Sequence, residues 1–344
     1  MKAKKMKFSK VYLYAAAAIV VGIGALCYYY LFTSLSKREQ VEYVYIDNDD
    51  TVDSVFTKIE PHANRAGMMV LRTLARHSSY NEHIRTGRYA IRPGEGALSV
   101  YRMLSRGEQE PTKLTVPEAR TPERMAALLS KKLMLDSATI AAALTDEAFC
   151  RKWDKDTATV MCLFIPDTYG IYWDVSLDGL MKRIKRDYEA FWTSERKQKA
   201  QNVGLTPDEV QTLASIIDEE TANNEEKPKI AGMYLNRLRQ KMPLQADPTV
   251  KFAMKRFDLR RILNEHLKTE SPYNTYRHAG LPPGPIKVAS LKGIDAVLNY
   301  VPSDYLYMCA KEDFSGTHNF AHTYSEHLAN ARRYQQALNQ RGIK

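Results

Sequence analysis

The run Leu205-Thr-Pro-Asp-Glu-Val-Gln-Thr-Leu-Ala-Ser-Ile-Ile-Asp-Glu-Glu-Thr221 decides how this chain is read. It opens as a helix should: Thr206 can cap the first turn, Pro207 suits the first helical position, and Glu209 completes a capping box. At about 100° per residue, Glu220 falls about 20° from Leu213 and about 60° from Ile217, on the apolar stripe. Asp218 and Glu219 fall about 140° and about 120° from Leu213 by the same arithmetic, so both are expected in solvent. Only Glu220 is expected to face the interior. A carboxyl held among apolar groups has its charged form disfavoured, so its pKa rises and it can serve as a general acid near neutral pH. A Glu that bends to solvent or pairs with an arginine at the helix end satisfies the same periodicity.

Downstream, residues 225–240 read as a second helix, with Ile230, Met233, Tyr234 and Leu238 on one face and Asn236, Arg237 and Arg239 elsewhere. The linker Ala222-Asn-Asn224 is short enough to make the two helices an antiparallel pair. Three stretches rich in Pro, Gly and short polar residues follow: Met242-Pro-Leu-Gln-Ala-Asp-Pro-Thr-Val250, Ser271-Pro-Tyr-Asn-Thr-Tyr276 and Gly280-Leu-Pro-Pro-Gly-Pro-Ile286. They predict rigid loops. Gln245, Asp247, Thr249, Asn274 and Tyr276 on such loops suit a sugar, which needs many hydrogen bonds and an aromatic surface. Plain connecting loops fit the same composition.

Upstream, Leu177 to Trp192 and Ala126 to Phe149 read as helices, the latter entered through Thr121-Pro-Glu-Arg124, with Phe164 to Tyr169 a loop. Lys113 to Val116 begins a strand. Before it, Val41 to Ile46 and Tyr89 to Arg92 read as strands around two short helices broken near Pro61, and Ser99 to Leu104 as a further helix. The piece Thr86-Gly-Arg-Tyr-Ala-Ile-Arg-Pro-Gly94 with that helix resembles the small LysM-like module of some cell-wall proteins. A generic α+β spacer is the competing reading.

Val11 to Phe32 carries no charge over 22 positions, enough for a helix to cross a bilayer. Tyrosines lie near both ends, where such rings prefer the interface. Lys2, Lys4, Lys5, Lys7 and Lys10 precede it, against Lys37 and Arg38 after it, which predicts a cytoplasmic N-terminus. A cleaved signal peptide or a lipoprotein site at Cys27 would begin similarly. The length of the span and Leu26 before Cys27 favour an uncleaved anchor. The net charge of +10 invites a nucleic-acid partner, but without the five N-terminal lysines 45 basic residues face 40 acidic ones. That surplus is no nucleic-acid footprint. Beyond the span, Cys150, Cys162 and Cys309 make an odd number, so no disulfide framework is read, although a Cys150–Cys162 bridge stays open. The expected fold is α+β: a basic tail (1–10), a transmembrane helix (11–32), a LysM-like module (40–110) and a mixed α/β catalytic domain (111–344).

The ordered blocks Phe164-Ile-Pro-Asp-Thr-Tyr, Leu213-Ala-Ser-Ile-Ile-Asp-Glu-Glu-Thr, Ile230-Ala-Gly-Met-Tyr-Leu-Asn-Arg-Leu, Pro243-Leu-Gln-Ala-Asp-Pro-Thr-Val, Tyr273-Asn-Thr-Tyr, Gly280-Leu-Pro-Pro-Gly-Pro-Ile, Tyr305-Leu-Tyr and His318-Asn-Phe resemble the endolytic murein transglycosylase family (MltG, YceG-like). That family often has Glu at the position of Asp218 and Lys at that of Glu219, but its catalytic Glu, just before Thr, aligns with Glu220. The resemblance implies a lyase that cuts the β-1,4 bond between N-acetylmuramic acid and N-acetylglucosamine in nascent peptidoglycan strands, leaving 1,6-anhydromuramic ends. No cofactor and no metal are expected; the anchor puts the chain from about residue 37 onward on the periplasmic or extracytoplasmic side of the cytoplasmic (inner) membrane, and work on nascent strands implies proximity to membrane-bound glycan polymerases. Gln245, Asp247, Thr249, Asn274 and Tyr276 would hold the glycan or orient Glu220. One carboxyl suffices physically, because the sugar's own C6 hydroxyl replaces water. Two rivals are a metal hydrolase using His318, His322, His327 and Glu326, whose helical spacing sits in a strand-like context, and a non-catalytic wall-binding scaffold.

Overall fold

The computed structural model describes residues 10–32, 34–259 and 261–342. Most of the expected basic tail therefore lies outside the described residues. The described chain divides into two compact units, Met1–Lys113 with Gly170–Val175, and Leu114–Tyr169 with Ser176–Lys344.

The first unit begins with helix α1 (Lys10–Phe32). Within it Tyr12–Tyr29 is long and apolar enough to cross a membrane, and none of that stretch is buried. Strand β1 (Glu42–Ile46), helices α2 (Val52–Ile59) and α3 (Arg65–Arg76), strand β2 (Gly87–Ile91) and helix α4 (Ala97–Arg106) follow. β1 and β2 pair antiparallel, Val44 opposite Tyr89. Pro61 sits in a short 3-10 turn between α2 and α3, where the sequence predicts the break. Val44, Ile46, Phe56, Leu71, Tyr89 and Val100 meet in one core. Gly170–Val175, expected inside the second domain, groups here instead. Trp173 meets Tyr45 edge-on at 5.0 Å, and Asp174 accepts hydrogen bonds from Thr86 Oγ1 and Gln109 Nε2.

The second unit takes up the chain at Leu114, within strand β3 (Thr112–Thr115), followed by helices α5 (Pro122–Leu129), α6 (Ser137–Thr145) and α7 (Glu147–Arg151), and then Thr168 and Tyr169 of strand β4 (Thr168–Ile171). The continuous helix expected from Ala126 to Phe149 is three pieces. Asp136 and Asp146 each accept a backbone N–H at a new helix start, from Thr139 and Phe149, and so divide the run. Helices α8 (Leu177–Phe191), α9 (Ser194–Val203), α10 (Pro207–Glu220) and α11 (Lys227–Arg239) come next. α12 (Asp247–Ala253), α13 (Leu291–Leu298), strands β5 (Tyr307–Ala310) and β6 (His318–Ala321), and α14 (Tyr324–Gln340) complete the unit. Cys150 and Cys162 are buried free thiols.

Helix α10 is the centre of this unit. Its capping box forms as the sequence predicts, with Thr206 Oγ1 accepting from Glu209 N and Glu209 Oε2 accepting from Thr206 N. Every residue from Val210 to Ile217 is buried, including Gln211, Thr212 and Ser215. Residues of α9, α11 and α13 pack around it in one apolar core with Trp192, Leu244 and Ile286. Ser215 Oγ accepts from Ile286 N at 3.0 Å, which fastens the Gly280–Ile286 stretch to α10.

Candidate active site

The last residue of α10 is Glu220, and its carboxyl opens on a cavity of about 260 Å³. Tyr234, Arg237, Gln245, Asp247, Tyr276 and His318 also line it. These side chains come from α10, α11, the loop that holds Gln245, the start of α12, the Ser271–Tyr276 loop and β6, and all belong to the second unit.

Glu220 Oε1 accepts a hydrogen bond from the Tyr234 hydroxyl at 2.9 Å. Tyr234 is two turns into α11, 2% exposed, so its ring packs in the core while its hydroxyl reaches the acid. Burial pushes the Glu220 carboxyl up from 4.5 to about 7; the Tyr234 hydrogen bond opposes the rise, the charge of Asp247 adds to it, and Lys251 opposes it. A carboxyl tuned this way holds its proton near neutrality and can still release it, as a general acid–base group must.

Asp247 is the second carboxyl of the cavity, and the Tyr276 hydroxyl donates to its Oδ1 at 2.6 Å. Gln245 stands in the left-handed region at φ 53°, where a non-glycine residue costs energy unless its surroundings hold it. Its N–H donates to Thr275 O at 3.1 Å, and Arg237 Nη1 reaches its Oε1 at 3.3 Å. Arg237 also donates to the carbonyls of Pro243, Leu244 and Leu306. It is 6% exposed and braces the floor of the cavity.

The structure therefore brings Glu220, Gln245, Asp247 and Tyr276 together and places Thr249 and Asn274 elsewhere. Thr249 is 0% exposed, donating to Ala246 O and hydrogen-bonded to Thr275 Oγ1 at 2.8 Å. Asn274, also 0% exposed, donates to the carbonyls of Leu267 and Thr269. Both spend their polar atoms on holding loops in shape, and neither lines the cavity. Asp247 and Thr249 also lie on a short helix, α12, where the sequence predicts only loop, because Asp247-Pro248 starts a helix as readily as it makes a turn.

The two other acids of the triplet depart from expectation. The Asp218 side chain is 3% exposed and paired with Lys227, itself 7% exposed, at 2.7 Å. Glu219 is 18% exposed at its side chain, and both its oxygens accept from Arg120 Nη2. The arithmetic assumed one buried stripe, whereas α10 is packed on every side. Tyr234, Arg237 and His318 are site residues that sequence reasoning did not assign to it. A tyrosine on an apolar helix face needs a partner for its hydroxyl, and that signal was available for Tyr234.

The histidines serve separate purposes. Glu226 accepts from both His318 N and His318 Nδ1, which ties β6 to the start of α11. His322 packs against Tyr305 and His327 stacks on Tyr307. Among the described residues no three His, Cys, Asp or Glu side chains are grouped to hold a metal ion.

Residues 44–333 match the YceG-like family. The chain belongs to that family. A Bacillus subtilis (strain 168) relative named endolytic murein transglycosylase is 31% identical over 245 residues, covering 67% of this chain and 67% of the relative. A Streptococcus pneumoniae (strain ATCC BAA-255 / R6) protein of the same name is 25% identical over 330 residues, covering 85% of this chain and 59% of that protein. The chain thus spans about two thirds of the first relative and about three fifths of the second. The crystal structure of a YceG-like protein from Listeria monocytogenes shares the fold, with a TM-score of 0.55 at 23% identity over 85% of this chain and 99% of that one.

Proposed function

We propose that this chain is an endolytic murein transglycosylase, a lyase that cuts peptidoglycan glycan strands with Glu220 as its acid–base residue. The observation that carries the reading is the Glu220 carboxyl, opening on the cavity with its pKa raised to about 7. Protonated Glu220 gives its proton to the glycosidic oxygen as the C1–O bond breaks. The resulting carboxylate then takes the proton of the C6 hydroxyl, which closes on C1 to form the 1,6-anhydro ring. That hydroxyl is already tethered to the reacting ring, so the second step has the advantage of an intramolecular reaction. Tyr234 holds one oxygen of Glu220, leaving the other for the proton in transit. Asp247, positioned by Tyr276, and Gln245 line the space for the sugars. No step requires a metal or a cofactor.

Digestion of purified glycan strands is the test. Early products should be strands of intermediate length, each new end carrying an anhydro cap, with few disaccharides. Disaccharides dominating from the first time point would refute internal cleavage, and ordinary reducing ends would refute the transglycosylase reaction. The rate should be level where Glu220 is protonated and fall as pH rises through about 7. Tyr234→Phe removes a bond that favours the charged carboxylate, so it should carry that falling limb to higher pH, together with a several-fold lower maximal rate. A pH–rate profile of the variant superimposed on that of the wild type would sink the role given to Tyr234.

Helix α1 supports membrane anchoring, with the lysine-rich N-terminus on the cytoplasmic side of the inner membrane and the chain that follows α1 outside. Such a tether keeps the cleft near strands under synthesis, close to membrane-bound glycan polymerases. The order β1–α2–α3–β2 supports reading residues 40–110 as a LysM-like module that touches the glycan. Protease added to spheroplasts should remove the chain beyond α1 and leave a short membrane-embedded fragment. A mature N-terminus beyond Cys27 would show a cleaved signal sequence instead.

A further inference from the structure

Beside the main cavity lies a second, much smaller one of about 50 Å³, lined by Arg120, Glu219, Pro248, Lys251, Phe252, Phe257 and Ile286. The two are neighbours along the chain at two places. Glu220 lines the first and Glu219 the second; Asp247 lines the first and Pro248 the second. A volume of that size holds a few atoms and no sugar ring.

Its basic side chains are not all paired. Arg120 is matched by Glu219 at 2.7 Å, and Lys287 by Glu118 at 2.8 Å with Glu219 at 3.7 Å. Among the described residues the side chain of Lys251 has no ion pair and no hydrogen bond, although it is partly buried and stands one helical turn from Asp247. Arg120 lies over the Phe257 ring at 5.4 Å, which fixes the guanidinium at the mouth of the small cavity. Lys251 is thus free to pair with an anion from outside the chain.

We propose that Lys251, with Arg120 beside it, forms a subsite for a free carboxylate of the peptide stem carried by the glycan strand. This rests on the reading of the main cavity as a glycan site. In peptidoglycan the stem hangs from the lactyl group of the muramic sugar, the ring whose C1–O bond is cut. A chain bearing carboxylates therefore leaves the strand close to Glu220. The sugar rings themselves are uncharged, so the stem is where a cationic subsite finds its ligand. Lys251 stands one helical turn from Asp247, which lines the main cavity, and its charge opposes the rise in the Glu220 pKa.

The full-length Glu220→Gln protein in detergent, which binds without turnover, gives the direct measurement. Its Kd is compared for soluble strands with free-acid stems and for the same strands after the stem carboxylates are converted to amides. Free-acid strands should bind about five-fold tighter, as expected for one partly exposed charge pair. Adding Lys251→Met should erase that difference, and adding Lys251→Arg should keep most of it. Equal binding of the two strand forms by Glu220→Gln, or an unchanged difference after Lys251→Met, overturns the subsite. Strands stripped of their peptides expose the lactyl carboxylate instead. If they bind as well as free-acid strands, the site reads the sugar's own acid and the stem assignment falls. A binding preference in a protein whose wild type makes no anhydro ends would support the subsite while overturning the lytic reaction.

Discussion

The Glu220→Gln variant is expected to lose strand cleavage by at least about 10²- to 10⁴-fold, the usual worth of a general acid–base group. It should do so while folding as well as the wild type or better. Glutamine keeps the shape and can still accept from Tyr234, whose hydroxyl lies 2.9 Å from Oε1, but it has no proton to give. The stability effect has a definite sign. Because the carboxyl titrates at about 7 in the fold and near 4.5 outside it, this group weakens the wild type as pH rises between those values. The variant lacks that loss. Below pH 4.5 the two proteins should melt together, and above pH 7 the variant should melt higher. The opening of the cavity to solvent keeps the gain under the roughly 3 kcal/mol of an unscreened shift, so a few degrees in Tm are expected. Anhydro ends formed at the wild-type rate would remove Glu220 from the mechanism. A variant that melts well below the wild type at pH 8 would show that the carboxylate holds the fold together.

Much of this was legible from local chemistry. The capping box of Thr206 and Glu209 and the uncharged stretch from Val11 to Phe32 both announce a helix, and the helices are there. The pairing of β1 with β2 follows from two short β-rich runs. Glu220 was singled out by helical arithmetic, yet that arithmetic alone does not explain its position. With Val210 to Ile217 buried on every side, α10 has no solvent face to contrast with its stripe. Glu220 differs from its neighbours because it meets a cavity, and the cavity is made by segments up to about a hundred residues away. His318 is one of these, held by Glu226 across 92 positions. Long-range partners of that kind leave no periodic trace. The division of residues 126–149 into three helices was a different matter. Asp136-Ser137 and Asp146-Glu147 are ordinary helix starts, and the apolar spacing of the run obscured them.

Asp218 is where the missing long-range information has the greatest effect on stability. Its Oδ1 accepts from Lys227 Nζ at 2.7 Å and from Ser290 Oγ at 2.8 Å, and its Oδ2 accepts from Ser290 N at 2.6 Å. One carboxylate thus joins the end of α10, the first turn of α11 and the cap of α13. Gly293 makes room for it, since a Cβ there would stand 2.6 Å from Asp218 Oδ1. Removing one partner of a buried pair leaves the other uncompensated, which costs about 3–5 kcal/mol. Asp218→Ala should therefore lower Tm by roughly 10 °C, reckoning 2–4 °C per kcal/mol for a unit of this size. Asp218→Asn, which as a solvated residue would have been harmless, should also destabilise because Lys227 keeps its charge. Lys227→Met added to Asp218→Asn should recover part of the loss, since it removes the orphaned cation. The pattern separates the acids: Glu220→Gln loses turnover and keeps the fold, whereas Asp218 variants lose the fold and turnover only as a consequence. A Tm for Asp218→Ala within a degree or two of the wild type would mean that the three-helix junction does not depend on this carboxylate.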